Sequence, residues 1–362
     1  MKTTCASVLL VAGLLGLPPS GRPGQQPQGT AAVKITVLGN RPFNGGVYLG
    51  ALRVFGQDAL LIDDDHIWQS LDGGHTWMQS ASARKLGAPT SFSGAWLEGP
   101  AHVSTISDEG VVFESADAGR VWNRLGSIAR PSGEFLAVAG DRTANRLVAV
   151  GSRSVPRSRA YADGVPKYAE DVSSVLRMLI PAIVTSKDAG KTWQSALLPS
   201  AIGNLDTIIV TGNSAIALGP YSVEATTDGG ESWHLMRQSR GQSEEEGYPT
   251  SAAIWGDQVW VGLKNGFLLK GQIRGRTLGV VSKASFPWGN LIFRDPCEGY
   301  AIIGDDISRT ADGGVTWQTL THSGDIEVMA ESSAGIFAVT HDHIVSIDVA
   351  SSRPVRCSES AH

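Results

Sequence analysis

The chain has 362 residues, of which 42% are hydrophobic and 18% charged, a balance typical of a globular protein with a large core. Its formal net charge of −5 argues against binding nucleic acid by general electrostatics, which needs a basic surface. The 43 glycines follow no collagen period and instead indicate many tight turns between short strands. The composition therefore predicts an all-β protein that does not bind nucleic acid.

The N-terminal residues are predicted to lie outside the folded domain. An apolar run from Ala6 to Leu17 follows Lys2 and is ended by two prolines. Such a run suits the core of a signal peptide better than a membrane-spanning helix, which needs about twenty apolar residues. We expect a signal peptide at 1–21, a flexible leader at 22–32, and export to the periplasm or the extracellular space, with no membrane span after signal removal. An uncleaved anchor or a mis-assigned start is the alternative.

Two cysteines, Cys297 and Cys357, would remain after signal removal. In an oxidising compartment they could form one disulfide that ties the C-terminal tail, residues 351–362, to a nearby strand. Two unpaired thiols are the alternative, because the sequence does not show how close the cysteines lie. Neither has histidines at the spacing of a zinc site, and we predict no metal and no cofactor.

The motif Ser/Thr-x-Asp-x-Gly-x-Thr-Trp organises the chain and recurs with small variations. Its aspartates and tryptophans are Asp72 and Trp77, Asp117 and Trp122, Asp188 and Trp193, Asp228 and Trp233, and Asp312 and Trp317. The aspartates are separated by 45, 71, 40 and 84 residues. These separations indicate a period of about 42 residues, typical of a β-propeller blade, with one insertion and one lost motif.

The predicted strands divide into blades. From residue 47 they form six units of four and a last unit of three: Glu327–Glu331, Ile336–Val339 and Ile344–Ile347. The strand Val33–Leu38 stands alone before the first unit, and it would complete the last one and remove an exposed edge. We therefore predict an all-β, seven-bladed β-propeller of four-stranded antiparallel blades at 33–350, closed by an N-terminal strand. Six or eight blades stay open, because the fifth and seventh units rest on the period alone.

The repeated motif is predicted to be structural. It falls on the turn between the third and fourth strands, where the Asp carboxylate can accept backbone N–H groups two and three residues on. The glycine two residues after the Asp is expected at positive φ, and the Trp ring is expected to bury against the neighbouring sheet. Equivalent turns around a ring do not converge on one ligand, so function is expected elsewhere.

These motifs resemble the Asp-box, or bacterial neuraminidase repeat, which occurs in sialidases and in the photosystem II assembly factor family. The resemblance covers residues 45–320, and Gly299–Gly304 ahead of Arg309–Trp317 is most similar to assembly-factor repeats. It implies a non-catalytic scaffold that binds another protein. We expect this scaffold to be exported, because of the predicted signal peptide, and to bind through the face opposite the Asp-box turns, where the loops outside the motif are expected. Photosynthesis itself is not implied.

The more distant resemblance to sialidases implies an alternative, a carbohydrate-active enzyme or lectin. Such an enzyme needs a Tyr–Glu pair, an Asp acid/base and three arginines, for which Arg41, Arg53 and Arg294 are the candidates. The early Phe/Tyr-Arg-Ile-Pro motif of sialidases is absent, since the nearest segment reads Asn40-Arg41-Pro42-Phe43. The sequence favours protein binding without catalysis, with carbohydrate as the alternative ligand.

An insertion at about 153–181 is the predicted binding segment. Five basic and three acidic side chains give it a charge of +2 in an acidic chain. Its basic and aromatic candidates are Arg153, Arg157, Arg159, Tyr161, Lys167, Tyr168 and Arg177. It leaves its blade between the second and third strands, and loops on a rigid scaffold are where binding residues concentrate. A surface loop without a partner is the alternative.

Acidic turns are expected on the same face, among them Asp63-Asp64-Asp65. They could bind a cation or a basic partner, but Asp is also an ordinary hairpin-turn residue, which is the favoured interpretation. His341 and His343 could likewise hold a metal, although one histidine pair at a surface turn is more often solvated.

Overall fold

The computed structural model describes residues 33–42, 49–63, 65–87, 91–97, 102–107, 109–128, 133–141, 145–156, 177–196, 198, 203–239, 247–285, 287–321, 326–332 and 335–349. These residues form seven four-stranded antiparallel sheets and one short helix, α1 (Ala83–Leu86). The predicted seven-bladed, all-β propeller is therefore confirmed. The predicted signal peptide, leader and C-terminal tail lie outside the described residues.

The strands follow the chain blade by blade. Strand β1 (Val33–Asn40) comes before the first blade along the chain. Blades 1 to 3 comprise β2 (Leu49–Phe55), β3 (Asp58–Asp63), β4 (His66–Ser70), β5 (Met78–Ser82); β6 (Phe92–Leu97), β7 (Val103–Ser107), β8 (Val111–Ser115), β9 (Asn123–Ser127); β10 (Gly133–Asp141), β11 (Arg146–Pro156), β12 (Arg177–Ser186) and β13 (Gln194–Ala196).

Blades 4 to 6 repeat the four-strand order, and blade 7 has three strands of its own. They comprise β14 (Thr207–Thr211), β15 (Ser214–Leu218), β16 (Ser222–Thr226), β17 (His234–Gln238); β18 (Pro249–Trp255), β19 (Gln258–Leu263), β20 (Phe267–Gln272), β21 (Thr277–Lys283); β22 (Trp288–Phe293), β23 (Gly299–Ile303), β24 (Asp306–Thr310), β25 (Gln318–Thr321); β26 (Ile326–Ser332), β27 (Gly335–Thr340) and β28 (His343–Val349).

The ring is closed by a strand from the other end of the chain. β1 pairs antiparallel with β28, from Val33 opposite Val349 to Asn40 opposite His343. The sheet order β1-β28-β27-β26 is the closure that the lone N-terminal strand predicts. Because β1 occupies the outer side of β28, the last blade has four strands like the others.

The core consists of apolar seams between neighbouring blades. In the seam between blades 7 and 1, Leu61 of β3 and Phe337 of β27 belong to one buried cluster, and Trp77 packs against it. The motif tryptophan therefore lies against the preceding blade, as expected. Each seam joins segments that are distant in sequence, so the blades stabilise one another laterally.

Strand direction divides the connections between two faces of the ring. The hairpins that join first and second strands lie beside the motif turns and hydrogen-bond to them: the N–H groups of Gly73, Gly229 and Gly313 donate to the carbonyls of Gln57, Asn213 and Cys297. We name this side the motif face. The strand ends that lead into the second-to-third strand connections, and those that lead from one blade to the next, lie on the opposite side, which we name the linker face.

Candidate functional site

The first motif turn shows how the motif side chains are used. Ser70 Oγ donates to Asp72 Oδ1 at 2.8 Å and accepts the N–H of Gly74 at 2.8 Å. Asp72 also accepts the backbone N–H and the hydroxyl of Thr76, at 2.9 and 2.6 Å. Trp77 Nε1 donates to the carbonyl of Gly74 at 3.0 Å. The polar side chains of the motif therefore hold the turn itself.

The other motif turns repeat this arrangement with one informative difference from the prediction. Each Asp accepts the N–H of the residue four positions on: Val121, Thr192, Ser232 and Thr316. Asp228 also accepts the N–H three positions on. The predicted donor two positions on was wrong, because that glycine N–H donates to the Ser/Thr hydroxyl in every copy.

The hydrogen bonds of these turns lower the pKa of the motif aspartates. Burial raises the pKa of Asp72, but hydrogen bonds from Thr76 and Ser70 outweigh it and hold the pKa at about 2. The same balance holds the pKa of Asp228 at about 2. Such groups stabilise the fold above pH 3.8, and the contribution is lost as the pH falls toward 2. They are permanent acceptors near neutral pH and do not carry a proton to donate.

The linker face carries the longest departure from the regular blade. β11 and β12 stay paired from Leu147 opposite Ser186 to Pro156 opposite Arg177, whereas β13 covers only Ile183–Thr185. The hairpin therefore continues past the end of β13. The insertion expected at 153–181 begins and ends as regular strand, because β11 runs to Pro156 and β12 starts at Arg177.

Two of the predicted binding residues lie on this hairpin. Arg153 is half-buried on β11 opposite Ile180, and Arg177 opens β12. The remaining candidates fall outside the described residues: Arg157, Arg159, Tyr161, Lys167 and Tyr168. Their role in binding stays a prediction.

The three arginines considered for a carboxylate clamp do not converge. Arg41 is 7% exposed on the linker face, and its Nη1 donates to Glu327 at 2.6 Å. Arg294 follows β22 on the motif face, and its Nε donates to Glu331 at 2.9 Å. Arg53 Nη1 donates to the carbonyl of Leu52. Two of the three are held by separate carboxylates on opposite faces, so these arginines do not form the triad that the sialidase alternative requires.

One Tyr–Glu–Arg cluster was not predicted from the sequence. Tyr300 Oη donates to Glu298 Oε1 at 2.6 Å, and Arg309 Nη2 lies 2.9 Å from the same oxygen. Tyr300 is 1% exposed, and burial followed by the Glu298 carboxylate raises its pKa above 10, which is the opposite of nucleophile activation. The pairing of Tyr300 with Arg309 across β23 and β24 is the signal that could have revealed the cluster.

The acidic turn after β3 is occupied by its own backbone. Asp63 is 2% exposed and accepts the N–H groups of Asp65 and His66 and the Nε1–H of Trp68. This supports the interpretation of an ordinary hairpin turn. Within the described ranges, no three His, Cys, Asp or Glu side chains are grouped to hold a metal ion.

Two further features concern the predicted export. Cys297 is disulfide-bonded, and the prediction that Cys357 is its partner falls outside the described residues. In the part of the chain that the structure describes, no helix has the length and apolar character needed to cross a membrane.

The geometry defines a class: a seven-bladed propeller with a motif face held by structural turns and a hairpin that extends on the linker face. Similar solved structures include YCF48 from Cyanidioschyzon merolae, with 16% identity, a TM-score of 0.59, and coverage of 88% of this chain and 99% of that one. A second, YCF48 bound to D1 peptide, has 16% identity, a TM-score of 0.61, and coverage of 88% and 95%.

An enzyme has the same fold. An ancestral GH74 enzyme is 11% identical with a TM-score of 0.58, and the match covers 85% of this chain and 45% of that one. No protein-family model and no curated protein matches the sequence. At these identities the likeness establishes the propeller fold alone.

Proposed function

We propose that the protein is an exported, non-catalytic scaffold that binds another protein through its linker face. The observation that carries this proposal is the β11–β12 hairpin, whose strands stay paired beyond β13 as far as Pro156 and Arg177. A propeller supplies a rigid base, and recognition segments work best when such a base limits the entropy lost on binding.

The side chains of the motif face and the charge of the insertion both favour binding through the linker face. On the motif face, the Ser/Thr and Asp side chains of each motif copy are engaged in hydrogen bonds within their own turn. The segment that the sequence inserts between β11 and β12, at about 153–181, has a charge of +2 against −5 for the whole chain. A basic segment on an acidic protein favours a partner with an acidic surface, because complementary charges raise the association rate and orient the complex.

The likeness to the structure of YCF48 bound to D1 peptide supports the same proposal, since that propeller of the same fold takes a peptide. The GH74 likeness keeps a carbohydrate ligand as the alternative. The geometry favours protein binding, because the buried Tyr300 has a raised pKa and the candidate arginines are separated.

A photo-crosslinking amino acid placed on each face tests the proposal. Tyr248 precedes β18 on the linker face and is 38% exposed, and Val121 lies in a motif turn and is 58% exposed. In cells that export the protein, we expect position 248 to give a covalent adduct with one recurrent protein and position 121 to give none. Adducts at position 121 alone, or equal adducts at both positions, would contradict the assignment of the linker face.

A further inference from the structure

A single carboxyl group is buried at the centre of blade 4. Glu224 lies in the middle of β16 and is 1% exposed, and its Oε1 has no hydrogen-bond partner among the described residues. Its cross-strand neighbours are Ala217 on β15 and Leu235 on β17. A buried acid without a partner is costly in its charged form, so its presence needs a physical reason.

The other motif-bearing blades show what this position normally holds. It lies two residues before the Ser or Thr of the motif, and blades 1 to 3 place Trp68, Phe113 and Val184 there, packed against apolar clusters. Blade 6 has Ser308, which is 3% exposed. Blade 4 alone among these five blades places an ionisable side chain at a seam position that is otherwise apolar or small.

The seam between blades 3 and 4 is apolar around this residue. Ala217, which is paired with Glu224, belongs to a buried cluster with Val150 of β11 and Ile183 of β12. Two more buried polar atoms at this seam have no partner among the described residues, Thr185 Oγ1 and Trp233 Nε1. The seam therefore combines an acid with other unsatisfied polar atoms in a medium of low polarity.

Trp233 distinguishes this seam further. In the other four motif copies the Trp Nε1 donates to the carbonyl of the glycine two residues after the motif Asp, at 3.0 Å each time. In blade 4 that bond is missing, and a Cβ on Gly230 would lie 2.6 Å from Thr185 Oγ1. The motif turn of blade 4 therefore packs closely against blade 3, whereas Trp233 makes no hydrogen bond to its own turn.

The charged groups around the seam lie at its two ends. On the motif face, Arg146 of β11 donates to Asn213, and Lys187 and Glu231 form an ion pair at 2.5 Å between the two blades. Toward the linker face, Asp206 precedes β14, Arg153 lies on β11 and Arg237 lies one residue before the end of β17. None of these groups contributes to the shift at Glu224, where burial alone raises the pKa to about 8. The carboxyl group is therefore protonated at neutral pH.

We propose that the seam between blades 3 and 4 is a proton-controlled joint, which Glu224 keeps closed as a neutral acid and loosens when it loses its proton. β11 and β12 form one wall of this seam and also continue into the hairpin on the linker face. Loosening the joint would therefore reach the base of that hairpin. The proposal goes beyond protein binding and stands whether or not the hairpin binds a partner.

The sign of the effect follows from proton linkage. The pKa of Glu224 rises from 4.5 in the unfolded chain to about 8 in the folded one, so the folded state holds the extra proton between these values. The stabilisation of the fold by the protonated Glu224 is complete below pH 4.5 and is lost as the pH rises through 8. Within this window, one extra proton makes the unfolding equilibrium constant rise by up to about tenfold per pH unit.

The test compares the native chain with Glu224→Gln, which keeps the shape of the side chain and removes its titratable group. Denaturation curves of both are measured from pH 5 to 8. In the native chain Glu224 should make the unfolding equilibrium constant rise with pH, by about tenfold per pH unit at most. We expect the Gln variant to lose this contribution to the pH dependence. Glu231→Gln, at an exposed carboxylate of the same seam, should keep the native slope. Equal slopes for Glu224→Gln and the native chain would overturn the proposal.

Two additions keep the test decisive. Should the Gln variant not fold, Glu224→Leu replaces the acid with a side chain of the kind found in other blades, and it should fold with the same loss of slope. Amide hydrogen exchange then locates the effect: between pH 6 and 8, protection in β12 and β15 should fall relative to the β1–β28 pair only in the native chain. An equal fall in blade 7, or the same fall in the Leu variant, would contradict a joint at this seam.

Discussion

Gly74→Ala is expected to lower the free energy of unfolding by about 3 kcal/mol, the sum of left-handed backbone strain and overpacking. Gly74 has φ of 90° in the first motif turn, where a side chain is disfavoured. An added Cβ would also overlap the ring of Phe337, which is 4% exposed in the seam with blade 7. The change is measured by urea or guanidinium denaturation of the purified protein.

Gly56→Ala is the matched control for this substitution. Gly56 has φ of 62° in the hairpin between β2 and β3, and a Cβ there would meet nothing within 4 Å. It should cost only the backbone strain, about 1 kcal/mol. If the two substitutions destabilise the protein equally, the contact of the motif turn with the preceding blade contributes nothing to stability.

A chain that begins at Arg41, and so lacks β1, is expected to unfold at least about 10 °C below the complete chain, since one kcal/mol corresponds to a few degrees. β1 supplies the fourth strand of blade 7, and Leu38 packs against the cluster that joins blades 7 and 1. Its removal exposes the edge of β28 and opens the ring. Thermal unfolding followed by circular dichroism measures the shift.

Complementation separates this effect from general damage. A synthetic peptide of residues Val33–Asn40, added in excess, should raise the midpoint again by binding the edge of β28 in the native register. The same peptide with proline at Thr36 should not, because proline cannot donate to the ladder. An unchanged midpoint after the deletion would show that β1 does not close the ring.

The architecture could be predicted because the spacing of the repeated motif gives the length of one blade in residues. The lone strand before the first unit predicted the closure of blade 7, and the period alone located the blade without a motif. In blade 5 the motif turn is replaced by Ile273–Arg276, where the buried Ile273 donates its N–H to the backbone carbonyl of Asp257. The backbone contact between the turn and the first hairpin therefore persists without the motif side chains.

The individual contacts were not predictable, because the neighbouring blade determines what each side chain faces. Arg41 and Glu327 are 286 residues apart in sequence, yet their side chains lie 2.6 Å apart. Glu224 lies between two apolar residues, and nothing local to it shows that blade 3 covers its side of the sheet. For residues 157–176 the sequence offers charge and aromatic content, which indicate a kind of partner but no geometry.

Replacing residues 157–176 with Asn-Gly most directly tests whether the linker-face hairpin binds a partner. Pro156 and Arg177 are a cross-strand pair, so a two-residue type I′ turn closes the hairpin and leaves the blade intact. The variant should keep the melting temperature and lose at least about tenfold in affinity for the protein crosslinked at position 248, roughly 1.4 kcal/mol. Val121→Ala on the motif face should bind normally. Unchanged affinity after the replacement would contradict binding of the partner through the linker-face hairpin.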